Sequence, residues 1–300
     1  MMKTFEIPPV EIQTITGDWL AQKGIGLDVL RLDKIHPVVS GNKSFKLKYY
    51  LQQAISQQKT TVATFGGAWS NHIVATAYAC KLLGLSSIGF IRGEESTELS
   101  ATLAAAKECG MKLNFVSRED YRDKENIQAL HGHTDRYWIP EGGYGNLGAK
   151  GASEILASID VEKYTHIIAA VGTGTMLAGL TKSATINQKV IGISCMKGNP
   201  SLQHQVAALL SDESKEGQFE IIHDYHFGGF GRHPPSLIAF MNDIYTLYQI
   251  PLDIVYTSKT FFAVKDLIEK DFFSNGNQLL IIHSGGLQGN SSLGDKVLTF

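Results

Sequence analysis

The sequence predicts an α/β fold built from two parallel-sheet domains, and three observations carry that expectation. Short, near-continuous apolar runs alternate with helical patterns along the chain, as strands do when both faces of a parallel sheet are covered. The chain has 30 glycines, and they gather where those runs end, which is where such strands turn into helices. Its 300 residues suggest two domains at the usual ~100–200 residues each.

Residues 6–37 read as a leading segment with one strong strand, 26–32. Ser40-Gly41-Asn42 is a turn opening a helix in which Leu47, Tyr50, Leu51 and Ala54 recur at i, i+3, i+4 and i+7. Strand 61–65 ends in Gly66-Gly67-Ala68-Trp69-Ser70-Asn71-His72, and helix 73–83, strand 86–91, helix 99–109 and strand 112–116 follow. Polar residues 121–132 close this unit, and Tyr137 to Gly143 lead through a glycine-rich turn to a helix beginning near Gly151.

A second series opens with strand 165–171, breaks at Gly172-Thr173-Gly174-Thr175 and continues as helix 176–183. Strand 190–196, helix 201–210 and strand 219–226 come next, then the Gly228-Gly229-Phe230-Gly231 turn. Helix 235–248, a short strand 253–256, helix 261–271 and strand 278–283 complete the chain before Ser284-Gly285-Gly286.

A formal net charge of −2 offers no basic surface for nucleic acid or an anionic membrane. Cys80, Cys109 and Cys195 stand far apart with no CxxC pair, so neither a disulfide framework nor a metal site is expected. The first 15 residues lack the apolar core of a signal peptide, and no apolar run nears the ~18 residues of a membrane span. A soluble, cytoplasmic protein is expected.

Four places carry chemistry. Lys43 falls in the first turn of its helix, where the positive dipole end and Lys46 one turn on favour a neutral amine able to form a Schiff base. The turn Gly172 to Thr175 can hold a phosphate on free backbone N–H groups and threonine hydroxyls, or be a plain strand–helix turn. Ser70-Asn71-His72 follows a strand, where ligands gather in such sheets; Ser and Asn there bind a ligand or cap the next helix. Ser284 offers a hydroxyl to a heterocyclic nitrogen, His283 beside it reads as a core histidine, and Tyr256 has the phenol for acid–base work.

These pieces, in this order and over nearly the whole chain, resemble the pyridoxal-phosphate family that contains 1-aminocyclopropane-1-carboxylate deaminase and D-cysteine desulfhydrase. The marks are Gly41-Asn42-Lys43 with Lys46-Leu47, Gly66 to His72, Ile139-Pro140-Glu141-Gly142-Gly143, Val255-Tyr256-Thr257 and His283-Ser284-Gly285-Gly286. The resemblance implies a tryptophan-synthase-β-like fold (fold type II), a homodimer and pyridoxal 5'-phosphate as cofactor. It implies a large domain of residues 1–47 and 151–300 and a smaller one of 48–150. Lys43 would be the Schiff-base lysine and proton shuttle, Asn71 the partner of the cofactor's phenolic oxygen, and Ser70 a holder of the substrate carboxylate. Gly172, Thr173, Gly174 and Thr175 would bind the phosphate, and Tyr256 would be one of two active-site tyrosines. Thr257 or Ser284 would meet the pyridine nitrogen.

Departures from the family pattern bear on the substrate. Phe230 stands where the other tyrosine lies, Trp69 where the characterised enzymes have glutamine, and His72 matches the desulfhydrases. Together with Ser70, Asn71 and Tyr256 they would line the substrate pocket. A hydroxyl on the pyridine nitrogen makes a weaker electron sink than a carboxylate, so β-elimination from a small amino acid, including D-configured ones, is favoured over opening of an aminocyclopropane ring. Two other readings compete: a nucleotide-binding Rossmann protein, which would need an acidic ribose ligand that residues 190–196 do not offer, and a cofactor-binding protein with little turnover.

Overall fold

The computed structural model describes residues 8–39, 41–210, 213–294 and 296–300; Ser40 of the lysine turn and the start of the leading segment lie outside them. Among the described residues, six strands form one sheet and four form another.

The larger sheet holds β1 (Ile12–Ile15), β2 (Gly26–Arg31), β7 (His166–Val171), β8 (Lys189–Ser194), β9 (Phe219–Ile222) and β10 (Gln278–His283), in the order β1-β2-β10-β7-β8-β9. All neighbours are parallel except β1 and β2, whose antiparallel pairing sets Ile12 opposite Leu30. β10 sits centrally, pairing Leu279 with Leu27 and with His166. Its side chains alternate as a pleated strand requires: Leu280 and Ile282 enter one core, Leu279 and Ile281 the other. Burial on both faces explains the unbroken apolar run in the sequence.

The smaller sheet is wholly parallel, with β3 (Thr61–Gly66), β4 (Ser86–Arg92), β5 (Met111–Val116) and β6 (Arg136–Ile139) in the order β5-β4-β3-β6. One face packs Val62 and Ile139 against helix residues, while the other packs Ala63, Phe65 and Phe90 against Tyr121 and Ile127.

Helices α1 (Asp18–Ala21), α2 (Asn42–Ser56), α3 (Asn71–Leu83), α4 (Ala101–Glu108), α5 (Lys124–Leu130), α6 (Asn146–Ala157), α7 (Thr175–Ser183), α8 (Leu202–Ala207), α9 (Pro235–Tyr248) and α10 (Thr257–Glu269) cover these sheets. α2 joins the two halves: Phe45 is buried in the core of the larger sheet, whereas Leu47, Tyr50, Leu51 and Ala54 belong to the smaller. Each such buried aliphatic side chain contributes roughly 1.5–3 kcal/mol. α6 lies between α2 and α7 at very short range, because glycine leaves room for backbone. A Cβ on Gly151 would come within 2.0 Å of the Phe45 carbonyl oxygen, and one on Gly179 within 2.4 Å of Ala152 Cβ. This close stack sets the start of α2 beside the start of α7.

Several expected boundaries differ. Strand β1 was not anticipated; its four residues are too few to show a period. Residues 121–132 contain α5, capped by Asp123, whose carboxylate accepts the Asn126 N–H at 2.9 Å. α6 begins at Asn146, five residues before the expected start, and β9 stops at Ile222. Residues 253–256 are not a strand. The Asp253 carboxylate accepts the N–H groups of Val255, Tyr256 and Thr257 at 2.8–2.9 Å, so they cannot join a ladder, and α10 starts at Thr257.

Candidate active site

The C-terminal ends of the parallel strands in both sheets face one another, where open α/β sheets bind ligands. Cross-contacts define the place. Asn71, at the start of α3, donates from Nδ2 to the Gly286 carbonyl beyond β10 at 3.3 Å. Gly142, beyond β6, backs onto Thr173, beyond β7, so closely that a Cβ would meet Thr173 Cγ2 at 2.8 Å.

Lys43 occupies the first turn of α2, after Gly41 at φ +66°. Its ammonium donates to Asn42 Oδ1 at 2.9 Å. Burial lowers its pKa to about 8, against an opposing pull from the Asp253 carboxylate. The cause is therefore desolvation, and repulsion acts in the other direction: burial first, then Lys43, hold Lys46 well below the ordinary lysine range. Both amines are thus eased towards the neutral, nucleophilic form.

The 172–175 turn bends at Gly174, whose φ of +81° is left-handed, and α7 follows with no side chain capping its first turn. Its leading N–H groups thus remain open to an anion at the positive end of the dipole. Thr173 and Thr175 share a hydrogen bond at 3.0 Å between their hydroxyls. The Tyr256 ring closes over Gly172, where a Cβ would come 3.3 Å from Cε1.

Ser70 is the N-cap of α3, accepting the Ile73 N–H at 3.4 Å. Asn71 Oδ1 is buried with no partner. His72 is buried, with Nε2 on the Thr64 hydroxyl at 2.8 Å and Nδ1 unpartnered. Burial first, then Lys43 and Lys46, depress its pKa well below the usual range, so it is a neutral ring. Trp69, just before Ser70, is 43% exposed.

Tyr256 precedes α10, in the Asp253 cap and not at a strand end as the sequence suggested. Burial, above all, pushes its phenol upward, so at neutral pH it is a proton donor. Phe230 meets the Tyr256 ring edge-on, with centroids 5.8 Å apart. Thr257 spends its hydroxyl on Asp253, donating to Oδ1 at 2.7 Å and accepting the Asp253 N–H at 2.7 Å. Ser284 Oγ makes no hydrogen bond with any described residue, and its carbonyl accepts the Asn42 N–H at 3.2 Å.

A near-neutral lysine, an open helix start with two hydroxyls, and an Asn71 oxygen and a Ser284 hydroxyl without partners among the described residues are the donors and acceptors that a flat, phosphorylated, carbonyl-bearing ring demands. Pyridoxal phosphate fits these residues. The family model for pyridoxal-phosphate dependent enzymes matches residues 20–285. This chain belongs to that family.

The enzyme's cofactor is therefore pyridoxal phosphate, and its fold is the type II fold of such enzymes. A crystal structure described as that of an ACC deaminase homologue superposes with a TM-score of 0.84 at 29% identity, covering 97% of this chain and 94% of the other. A Thermotoga maritima protein that carries, provisionally, the name 1-aminocyclopropane-1-carboxylate deaminase is 31% identical over 89% of this chain and 90% of its own. An Arabidopsis thaliana protein named bifunctional D-cysteine desulfhydrase/1-aminocyclopropane-1-carboxylate deaminase, mitochondrial, is 28% identical over 91% of this chain and 75% of its own. Among the described residues no helix is long and apolar enough to cross a membrane, and no cluster of His, Cys, Asp or Glu could hold a metal.

Sequence reasoning did not single out two supports of this enzyme's site. One is Asp253, which caps α10 and faces Lys43; the aspartate three residues before Tyr256 was a usable cap signal. The other is a buried polar cluster beneath Ser284, built on the Arg31–Asp33 ion pair. Arg31 forks onto Asp33 at 2.9 and 2.7 Å, and His283 sets Nδ1 3.2 Å from Asp33 Oδ1 while Nε2–H donates to the Pro251 carbonyl at 2.7 Å. Burial raises the Asp33 carboxyl, but His283 and Arg31 outweigh it and hold the pKa below its usual value.

Proposed function

We propose that the enzyme catalyses β-elimination from a small amino acid, D-cysteine or a β-chloroalanine in type, releasing a 2-oxoacid and ammonia. The carrying observation is Phe230 against Tyr256: where the resemblance has two phenols, this pocket has one and an inert ring.

Bound pyridoxal phosphate supplies a carbonyl for the substrate amine and an electron-withdrawing ring that weakens bonds at the α-carbon. Lys43 would hold it, Gly172 to Thr175 and the α7 amides would bind its phosphate, and Asn71 would meet its phenolic oxygen. Ser284 would meet the pyridine nitrogen, since the Thr257 hydroxyl is already committed to Asp253. Ser70 and Asn71 hold the substrate carboxylate, with His72, Trp69 and Phe230 bounding the side-chain space. Lys43 Nζ takes the α-proton, the departing thiolate or halide carries away the electron pair, and water from solvent hydrolyses the released imine to the 2-oxoacid and ammonia. Tyr256, kept protonated by burial, donates a proton to the leaving group.

Opening an aminocyclopropane ring breaks a carbon–carbon bond with no leaving group and calls on a second positioned phenol. Its loss costs about 10²–10⁴-fold. Assay of 2-oxoacid release from a panel of D- and L-amino acids should show D-cysteine or β-chloro-D-alanine exceeding aminocyclopropane carboxylate by at least ~100-fold. Comparable aminocyclopropane turnover would overturn this reading in favour of a deaminase proper, and no turnover on any substrate would leave a cofactor-binding protein.

The same reading takes residues 1–47 and 151–300 as the large cofactor-binding domain and 48–150 as the smaller one. It also makes the enzyme a cytoplasmic homodimer. Light scattering should then give twice the chain mass.

A further inference from the structure

Lys259 is wholly buried, on the third residue of α10. A lysine in an apolar interior is costly unless something uses its charge. Here the ammonium donates to the Gly229 carbonyl at 2.8 Å and to the Cys195 carbonyl at 3.4 Å. Cys195 directly follows β8, and Gly229 lies in the turn beyond β9, so one cation ties the segments that follow two neighbouring strands to the helix that Tyr256 precedes. Burial lowers its pKa, while the Cys195 thiol and Asp253 act to keep the proton on.

Within the turn, the Gly228 N–H donates to His226 Nδ1 at 2.9 Å, the Gly229 N–H to the His226 carbonyl at 3.0 Å, and the Arg232 N–H shares the Gly229 carbonyl with Lys259 at 3.1 Å; these bonds shape the turn, and Lys259 ties it to α10. Gly228, Gly229 and Gly231 all have positive φ, at +93°, +129° and +73°. Glycines at such angles are the residues freest to leave them. Between them Phe230 is 54% exposed, so no core holds it, yet its ring meets Tyr256 edge-on at 5.8 Å.

We propose that Lys259 is a positioning residue that sets the width of the substrate pocket, by pinning the 228–231 turn so that Phe230 stays against Tyr256. The inference rests on the reading that Phe230 and Tyr256 border the substrate. Lys259 touches neither substrate nor cofactor; it acts through Phe230.

Hydrogen exchange of the holoenzyme tests the clamp without turnover. In the unmodified protein the Gly228 and Gly229 amides should exchange more slowly than those of an unstructured peptide. In Lys259→Met they should exchange at least ~10-fold faster, with the 172–175 turn unchanged. Lys259→Gln, which keeps one donor for Gly229, should recover part of the protection.

Kinetics on β-chloro-D-alanine then tests the route. Lys259→Met should raise KM at least ~5-fold with a smaller change in kcat, and should add little in a Phe230→Ala background. Additive effects, or an unprotected turn in the unmodified protein, would overturn the proposal. Should the methionine variant not fold, the glutamine variant and the unmodified protein's exchange still decide it. If β-chloro-D-alanine is not a substrate, the substrate reading falls, while exchange still judges the clamp.

Discussion

The backbone N–H of Asn42 donates to the carbonyl of Ser284 at 3.2 Å, joining the start of the lysine helix to the end of the central strand. Gly41 lies against the same carbonyl: a Cβ there would come within 1.8 Å of its oxygen, at a φ of +66°. The proposed cofactor lysine and the proposed pyridine partner are thus one rigid joint.

Substituting that glycine should therefore damage fold and site together. Gly41→Ala is expected to lose at least about 2 kcal/mol of stability, from left-handed strain and from collision with backbone that has nowhere to go. Urea unfolding of the two proteins checks it.

The lowered pKa of Lys43 has a direct signature. The rate at which cofactor-free protein takes up pyridoxal phosphate should rise about tenfold per pH unit below about 8 and level off above it, as the neutral amine becomes the main form. The same shift makes the cofactor-free protein gain stability from about pH 8 towards 10.5, where the unfolded chain holds a proton that the folded chain has lost. Lys43→Ala should abolish both the visible absorbance of lysine-bound cofactor and turnover while the chain stays folded. A persisting band would move the anchor to another lysine.

Gly174→Val meets two obstacles: a left-handed φ of +81°, and a Cβ 2.7 Å from Val206 Cγ2. The displaced turn should bind pyridoxal phosphate at least ~10-fold more weakly, or ~1.4 kcal/mol. Unchanged affinity in a fluorescence titration would return residues 172–175 to an ordinary strand–helix turn.

Asp33→Asn should cost about 3–5 kcal/mol at neutral pH, by leaving the Arg31 guanidinium buried against a neutral partner. Asp33 titrates below its usual 3.8 in the folded protein, so its contribution is full above that value and fades as pH falls through the folded pKa. The stability gap between the two proteins should therefore narrow in acid. A gap constant down to pH 2 would show that the charge is not what matters.

Phe230→Tyr restores a second phenol beside Tyr256. It should narrow the gap between β-elimination and aminocyclopropane turnover, by up to ~100-fold, if the missing hydroxyl is the cause. An unchanged ratio of kcat/KM values would assign the preference elsewhere, with Trp69 as the first suspect.

By itself the sequence determined whatever depends on local pattern. Apolar runs within β7 and β10 meant strands buried on both faces, and the period from Leu47 to Ala54 meant a helix starting beside Lys43. Glycine-rich turns marked strand ends, where backbone must bend sharply, and the two-sheet α/β class followed from their alternation. Tertiary structure alone decided which groups meet. Asn71 finds Gly286 across 215 residues of chain, and Lys259 finds Gly229 across 30. Residues 253–256 read as a strand because their apolar character is local, but the Asp253 carboxylate captures their N–H groups and makes a cap. That capture also engages the Thr257 hydroxyl, which composition could not reveal. A side chain's hydrogen-bonding capacity is finite, and where it is spent depends on neighbours that only the packed chain supplies.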